Sequence, residues 1–64
     1  MMIICDIWGG ERSQEFLARY VRQDDEALDL AKFELEAGYL VTLRRDEEFT
    51  QVLEFDHRAT NKPN

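Results

Sequence analysis

Residues 24–38 read Asp24-Asp25-Glu26-Ala27-Leu28-Asp29-Leu30-Ala31-Lys32-Phe33-Glu34-Leu35-Glu36-Ala37-Gly38, and this stretch decides the fold. Acids crowd its start, where carboxylates oppose the positive end of a helix dipole, and Asp24 or Asp25 is placed to cap it. Gly38 is placed to end it in the left-handed conformation that closes many helices. Between them Ala27, Leu28, Ala31 and Leu35 recur at helical spacing and form the expected core face. One amphipathic helix is therefore the anchor for everything else.

Working outward, the segments on both sides read as strands. Residues 2–8, from Met2 to Trp8, are rich in β-formers, and Gly9-Gly10 suits a two-residue primed hairpin turn. The segment 11–22 reads two ways. Extended, Phe16, Ala18 and Tyr20 alternate with Leu17, Arg19 and Val21; helical, Phe16, Leu17, Tyr20 and Val21 make a stripe. The glycine pair favours the strand. After the helix, residues 39–43 form another strand, and the polar turn Arg45-Asp46-Glu47-Glu48 leads into a last one over residues 49–55. In that final hairpin an arginine of the Arg44-Arg45 pair is expected to meet Glu54. The order β-β-α-β-β predicts an α+β fold, a four-stranded, mainly antiparallel sheet with one helix packed on one face. Residues 1–57 form the single domain and residues 58–64 a flexible C-terminal tail.

Composition narrows the function. Sixty-four residues bury a small core, and the single cysteine, Cys5, rules out an internal disulfide. It lies in an apolar run and is expected to face the helix with Ile3 and Ile7, behaving as a small hydrophobe. One Cys and one His cannot supply a usual four-ligand zinc site, so neither metal nor cofactor is expected. His57 beside Asp56 has no second reactive group with a reason to meet it, so catalysis is not expected. The glycine pair lacks the spacing and the lysine of a phosphate loop. No stretch is long enough for a membrane span, and the free cysteine suits a cytoplasmic setting.

Fourteen acidic residues against eight Lys and Arg give a formal charge of −6. That balance disfavours direct nucleic-acid binding, which needs cations to replace the counterions of phosphates. It favours a protein partner with a basic surface. Asp25, Asp29, Lys32 and Glu36 line up opposite the core face, with Glu26 beside them. Asp25 and Asp29 repel at i,i+4, and Glu34 and Glu36 sit near a helix C-terminus that disfavours carboxylates. From Asp25 to Glu36 is about 16 Å, the length of a short run of phosphates. Asp46, Glu47 and Glu48 form a second acidic cluster. Phe33 on the helix flank and Trp8 on the sheet are apolar surplus of the kind that anchors interfaces.

Tiny size, a sheet-plus-helix layout, no active site and acid-rich faces at Asp25-Asp29-Glu36 and Asp46-Glu47-Glu48 resemble the small phage-encoded inhibitors of CRISPR effectors, the anti-CRISPR proteins. That resemblance implies an inhibitor acting in the host cytoplasm as a DNA mimic. It would occupy the basic groove of an effector subunit that holds target DNA. The Arg44-Arg45 pair departs from a uniformly acidic mimic and points to a localised patch. The resulting expectation is a non-enzymatic acidic binding protein, monomeric or weakly dimeric. It would block a nucleic-acid-binding site through Asp25, Glu26, Asp29, Phe33, Glu36, Asp46, Glu47, Glu48 and Trp8. The alternative is a protein–protein interaction or antitoxin-like regulatory module, homodimeric and using the Trp8 side of the sheet.

Overall fold

A computed structural model describes residues 1–60. Strand β1 (Met2–Gly9) pairs antiparallel with β2 (Glu15–Gln23); helix α1 (Asp24–Glu36) follows directly, then β3 (Leu40–Arg45), the short β4 (Phe55–Asp56) and a single helical turn, α2 (His57–Thr60). The sheet order is β3-β1-β2-β4, with every pairing antiparallel. The expected α+β architecture, four antiparallel strands with one helix packed across a face, is the observed one.

Alternation along β1 sorts the two faces. Register places Ile3, Cys5 and Ile7 with Ala18, Tyr20, Leu43 and Arg45 on the α1 side. Cys5, Ile7 and Ala18 are fully buried there, and Ala27 and Ala31 are the buried apolar residues of the helix. Ile4, Asp6 and Trp8 turn to the other side with Val21, Arg19 and Phe16. Ile4 is nonetheless only 1% exposed. The connection 46–54 must travel from the β3 edge to the β4 edge, and the burial of Ile4 places that crossing on the face away from α1. Asp6, also buried there, is neutralised by Arg19, whose Nε and Nη2 donate to its two oxygens at 2.7 and 3.2 Å.

Four local expectations are corrected. The first turn is not a two-residue hairpin. Residues 10–14 form the loop, with Gly10 at φ +83° and Ser13 N donating to Gly10 O at 3.3 Å. The extra length goes with a bulge: Trp8 faces Phe16 while Ile7 faces Ala18, so Leu17 has no opposite number. Leu17 lies over Gly9, where an added Cβ would come within 2.6 Å of its Cδ1. Segment 15–23 is extended, as the glycine pair favoured.

The second correction concerns the cap. Gln23 is the N-cap residue and makes no side-chain capping bond, leaving Asp24, Asp25 and Glu26 in the first turn. The C-terminus does end at Gly38, at φ +96°: Gly38 N donates to Leu35 O and Tyr39 N to Glu34 O, the paired bonds of a Schellman closure.

Third, α1 is rotated from the expected face. Ala27, Ala31 and Glu34 are buried, whereas Leu28 is 57% and Leu35 54% exposed. Apolar residues occur almost all round this helix, so periodicity leaves its rotation open. Small side chains at 27 and 31 let the backbone approach the sheet closely, and Glu34 finds a buried partner.

Fourth, the last strand is two residues long and pairs with β2, not β3. Glu54 accordingly meets Arg22 and accepts from Val21 N at 2.7 Å, rather than meeting Arg44 or Arg45. Of the segment expected as a tail, Arg58 is locked into the fold. Residues 61–64 lie outside the described residues.

Candidate interaction surface

The outer side of α1 follows from its inner side. With Ala27 and Ala31 inward, a 100° step per residue carries Asp25, Asp29, Lys32 and Glu36 to the far side and Glu26 and Phe33 to the β2 flank. All six are exposed, Phe33 to 71%. Among the described residues none of the carboxylates of Asp25, Glu26, Asp29 and Glu36 joins an ion pair. Lys32 is the one cation α1 places among them.

Three of the eight Lys and Arg are engaged elsewhere. Arg19 is held by Asp6, Arg22 by Glu54, and Arg58 by Glu34 and Asp56. Arg58 is the centre of the most developed polar network. Its Nη1 and Nη2 donate to Glu34 Oε1 and Oε2 at 2.8 and 2.9 Å, a bidentate pair. Its Nε donates to Asp56 Oδ1 at 3.1 Å, and its guanidinium lies 4.7 Å from the Tyr39 ring centroid. The Tyr20 hydroxyl donates to Asp56 Oδ2. Arg58 holds the Asp56 carboxyl down to about 2 against the burial that opposes it, and desolvation followed by the bond to Asp56 raises Tyr20. This constellation is a clamp that fastens α2 to α1 and β2.

The remaining expected site residues do not join the α1 face. Asp46 is buried; its carboxylate accepts from Thr50 N at 3.1 Å and Thr50 Oγ1 at 2.9 Å, which folds the loop back on itself. A carboxylate committed to its own loop cannot also face a partner, so Asp46 is removed from the candidate set. Glu47 and Glu48 are exposed, but they open the connection behind the sheet. Trp8 is half-buried: Nε1 donates to Thr42 Oγ1 at 2.8 Å and its ring sits 5.0 Å from Phe16, at the head of a row continued by Phe55 and His57. It is a packing residue of that row rather than a projecting anchor.

Sequence reasoning missed Tyr20, Glu34, Asp56 and Arg58. One signal pointed to Glu34: a carboxylate at a helix C-terminus opposes the dipole, and here the Arg58 pair compensates it. Glu36 carries the same anomaly with no such partner among the described residues.

Among the described residues no group of three His, Cys, Asp or Glu side chains could hold a metal ion, and no helix is long and apolar enough to cross a membrane. No family model, curated protein or solved structure matches the chain.

Proposed function

We propose that this chain is a non-enzymatic acidic binding protein that works in the cytoplasm, setting the outer face of α1 against a basic site on a protein partner. The site it covers is one where that partner holds nucleic acid, so binding inhibits the partner. A CRISPR effector subunit is the partner class that the resemblance implies. The carrying observation is charge segregation: Asp25, Glu26, Asp29 and Glu36 are exposed without ion pairs among the described residues, while Arg19, Arg22 and Arg58 are held by Asp6, Glu54, Glu34 and Asp56. Carboxylates spread over about 16 Å of rigid helix match the charge spacing a basic groove is built to receive.

The test is a charge reversal. Asp25→Lys, Asp29→Lys and Glu36→Lys together should leave the far-ultraviolet circular dichroism unchanged, because all three side chains point to solvent. Wild-type bait should retain its partner from a lysate at low salt and lose it as salt rises, since exposed charges are screened over about 10 Å at 0.1 M. The triple variant should retain none. Undiminished capture by the triple variant would remove the acidic face from the function.

A second reading, a general interaction or antitoxin-like module, is favoured by the exposure of Phe33 beside these acids. It predicts that Phe33→Ala is the damaging change and that salt matters little.

A further inference from the structure

The two edges of the sheet are finished differently. At the β2 edge β4 covers Ala18 and Arg19, and Glu54 takes the outward Val21 N–H. At the β3 edge nothing comparable occurs among the described residues. Asp46 N donates to Met2 O at 2.9 Å, which fixes the phase of the ladder: Arg44, Thr42 and Leu40 exchange bonds with Ile4, Asp6 and Trp8. The intervening residues, Val41, Leu43 and Arg45, must turn their N–H and C=O groups away from β1. Among the described residues no loop or side chain takes up those groups.

Apolar surface lies along the same edge. Leu43 is 42% exposed, and Leu28 lines a groove with Ile3, Leu43 and Arg45. Leu35 is seven residues beyond Leu28, hence on the same flank of α1. An open strand edge beside an apolar flank is a template for pairing, and the blunting devices usual at such edges are confined to Arg44 and Arg45 at one end.

We infer that β3 pairs with β3 of a second copy of this chain, in antiparallel register about a two-fold axis at Leu43. Self-complementarity selects this occupant. With Leu43 opposite Leu43, Val41 falls opposite Arg45, and all three outward-turned residues of each copy meet their like in hydrogen-bonded pairs. The axis stands perpendicular to the sheet, so both helices lie on one face of an eight-stranded sheet, with Leu28 and Leu35 flanking the central leucine pair. Charge matches as well: the last turn of α1 carries Glu36 and no basic residue, and the two-fold brings the other copy's Arg45 to that end. The association is independent of the proposed partner, and it sets two acidic helix faces side by side.

Sedimentation equilibrium from micromolar to millimolar protein tests this, together with amide hydrogen exchange at both extremes. The wild type should pass from monomer to dimer, with Val41, Leu43 and Arg45 amides gaining protection only at high concentration. Leu43→Lys, which places two ammonium groups at the axis, should weaken the dimer roughly tenfold or more. Arg45→Glu should weaken it by a smaller factor, and Leu53→Lys, in the connection 46–54, should not. A wild type that stays monomeric throughout overturns the inference. So does a dimer indifferent to both Leu43→Lys and Arg45→Glu, or one lacking edge-amide protection.

Discussion

Arg58 is the residue on which the C-terminal end of the fold turns. It spans three elements: Glu34 on α1, Asp56 on β4 and Tyr20 on β2 are all bonded to its guanidinium. Arg58→Met keeps the stem and removes the charge, leaving the Glu34 carboxylate buried without its counter-ion. Losing one partner of such a pair should cost about 3 kcal/mol, measurable as a shift in urea midpoint. Acid should act through the same site. Asp56 has its folded-state pKa depressed to about 2 by Arg58. The unfolded chain therefore binds the proton more readily, and the Asp56 contribution is complete above about pH 4. It fades as pH falls towards 2, a loss on the order of 2 kcal/mol, and Asp56→Asn should flatten the stability profile in that window. Tyr20 works in the opposite range. Its raised pKa means the folded state keeps the phenolic proton, so stability falls as pH climbs above 10. Glu34 was visible in the sequence as a misplaced acid, but its partner lies 24 residues away in a segment that reads as a tail. No local pattern connects them.

The elements themselves were largely legible. Gly38 marked the end of α1, and β-branched and apolar runs marked β1 and β3. What stayed hidden was how they meet. Ala27, Leu28, Leu30, Ala31, Phe33 and Leu35 leave two rotations of the helix equally apolar, and the choice between them belongs to the sheet beneath. The rotation adopted sets a clear contrast. Leu28→Ala and Leu35→Ala, on half-exposed positions, should each cost about 1 kcal/mol or less, whereas Ile7→Ala, at a fully buried position, should cost about 3 kcal/mol and leave a cavity in the core. Equal costs for Leu28 and Ile7 in chemical denaturation would mean that α1 turns its leucines inward. The first loop was hidden for a different reason. A glycine pair specifies flexibility, not loop length, and the bulge at Leu17 takes up the slack between register and turn. β4 was placed beside β3 because hairpins are the commonest antiparallel connection. The return behind the sheet is instead held by loop-specific contacts, Asp46 to Thr50 and Glu54 to Arg22, that have no periodic signature.

For the molecule as a whole, the decisive property is where charge is left over after folding. A formal charge of −6 says only that acids outnumber bases. The fold decides that Arg19, Arg22 and Arg58 are turned to internal partners, and that Asp25, Glu26, Asp29 and Glu36 remain outside on one helix. The exposure of Asp25, Asp29 and Glu36 was legible because they lie outward in either rotation of α1. The contacts of Asp46 and Trp8 with Thr50 and Thr42 were not legible, because they are met only once the loop and the sheet are built. Under the proposed function this surface would compete with nucleic acid for the same cations, which gives the account its most direct test. The partner captured by wild-type bait is challenged with duplex DNA at fixed ionic strength, and the fraction released is measured against DNA concentration. The account predicts that DNA displaces the protein competitively, and that the captured partner binds DNA only when the protein is absent. Simultaneous binding of both, forming a ternary complex with undiminished affinity for each, would contradict it.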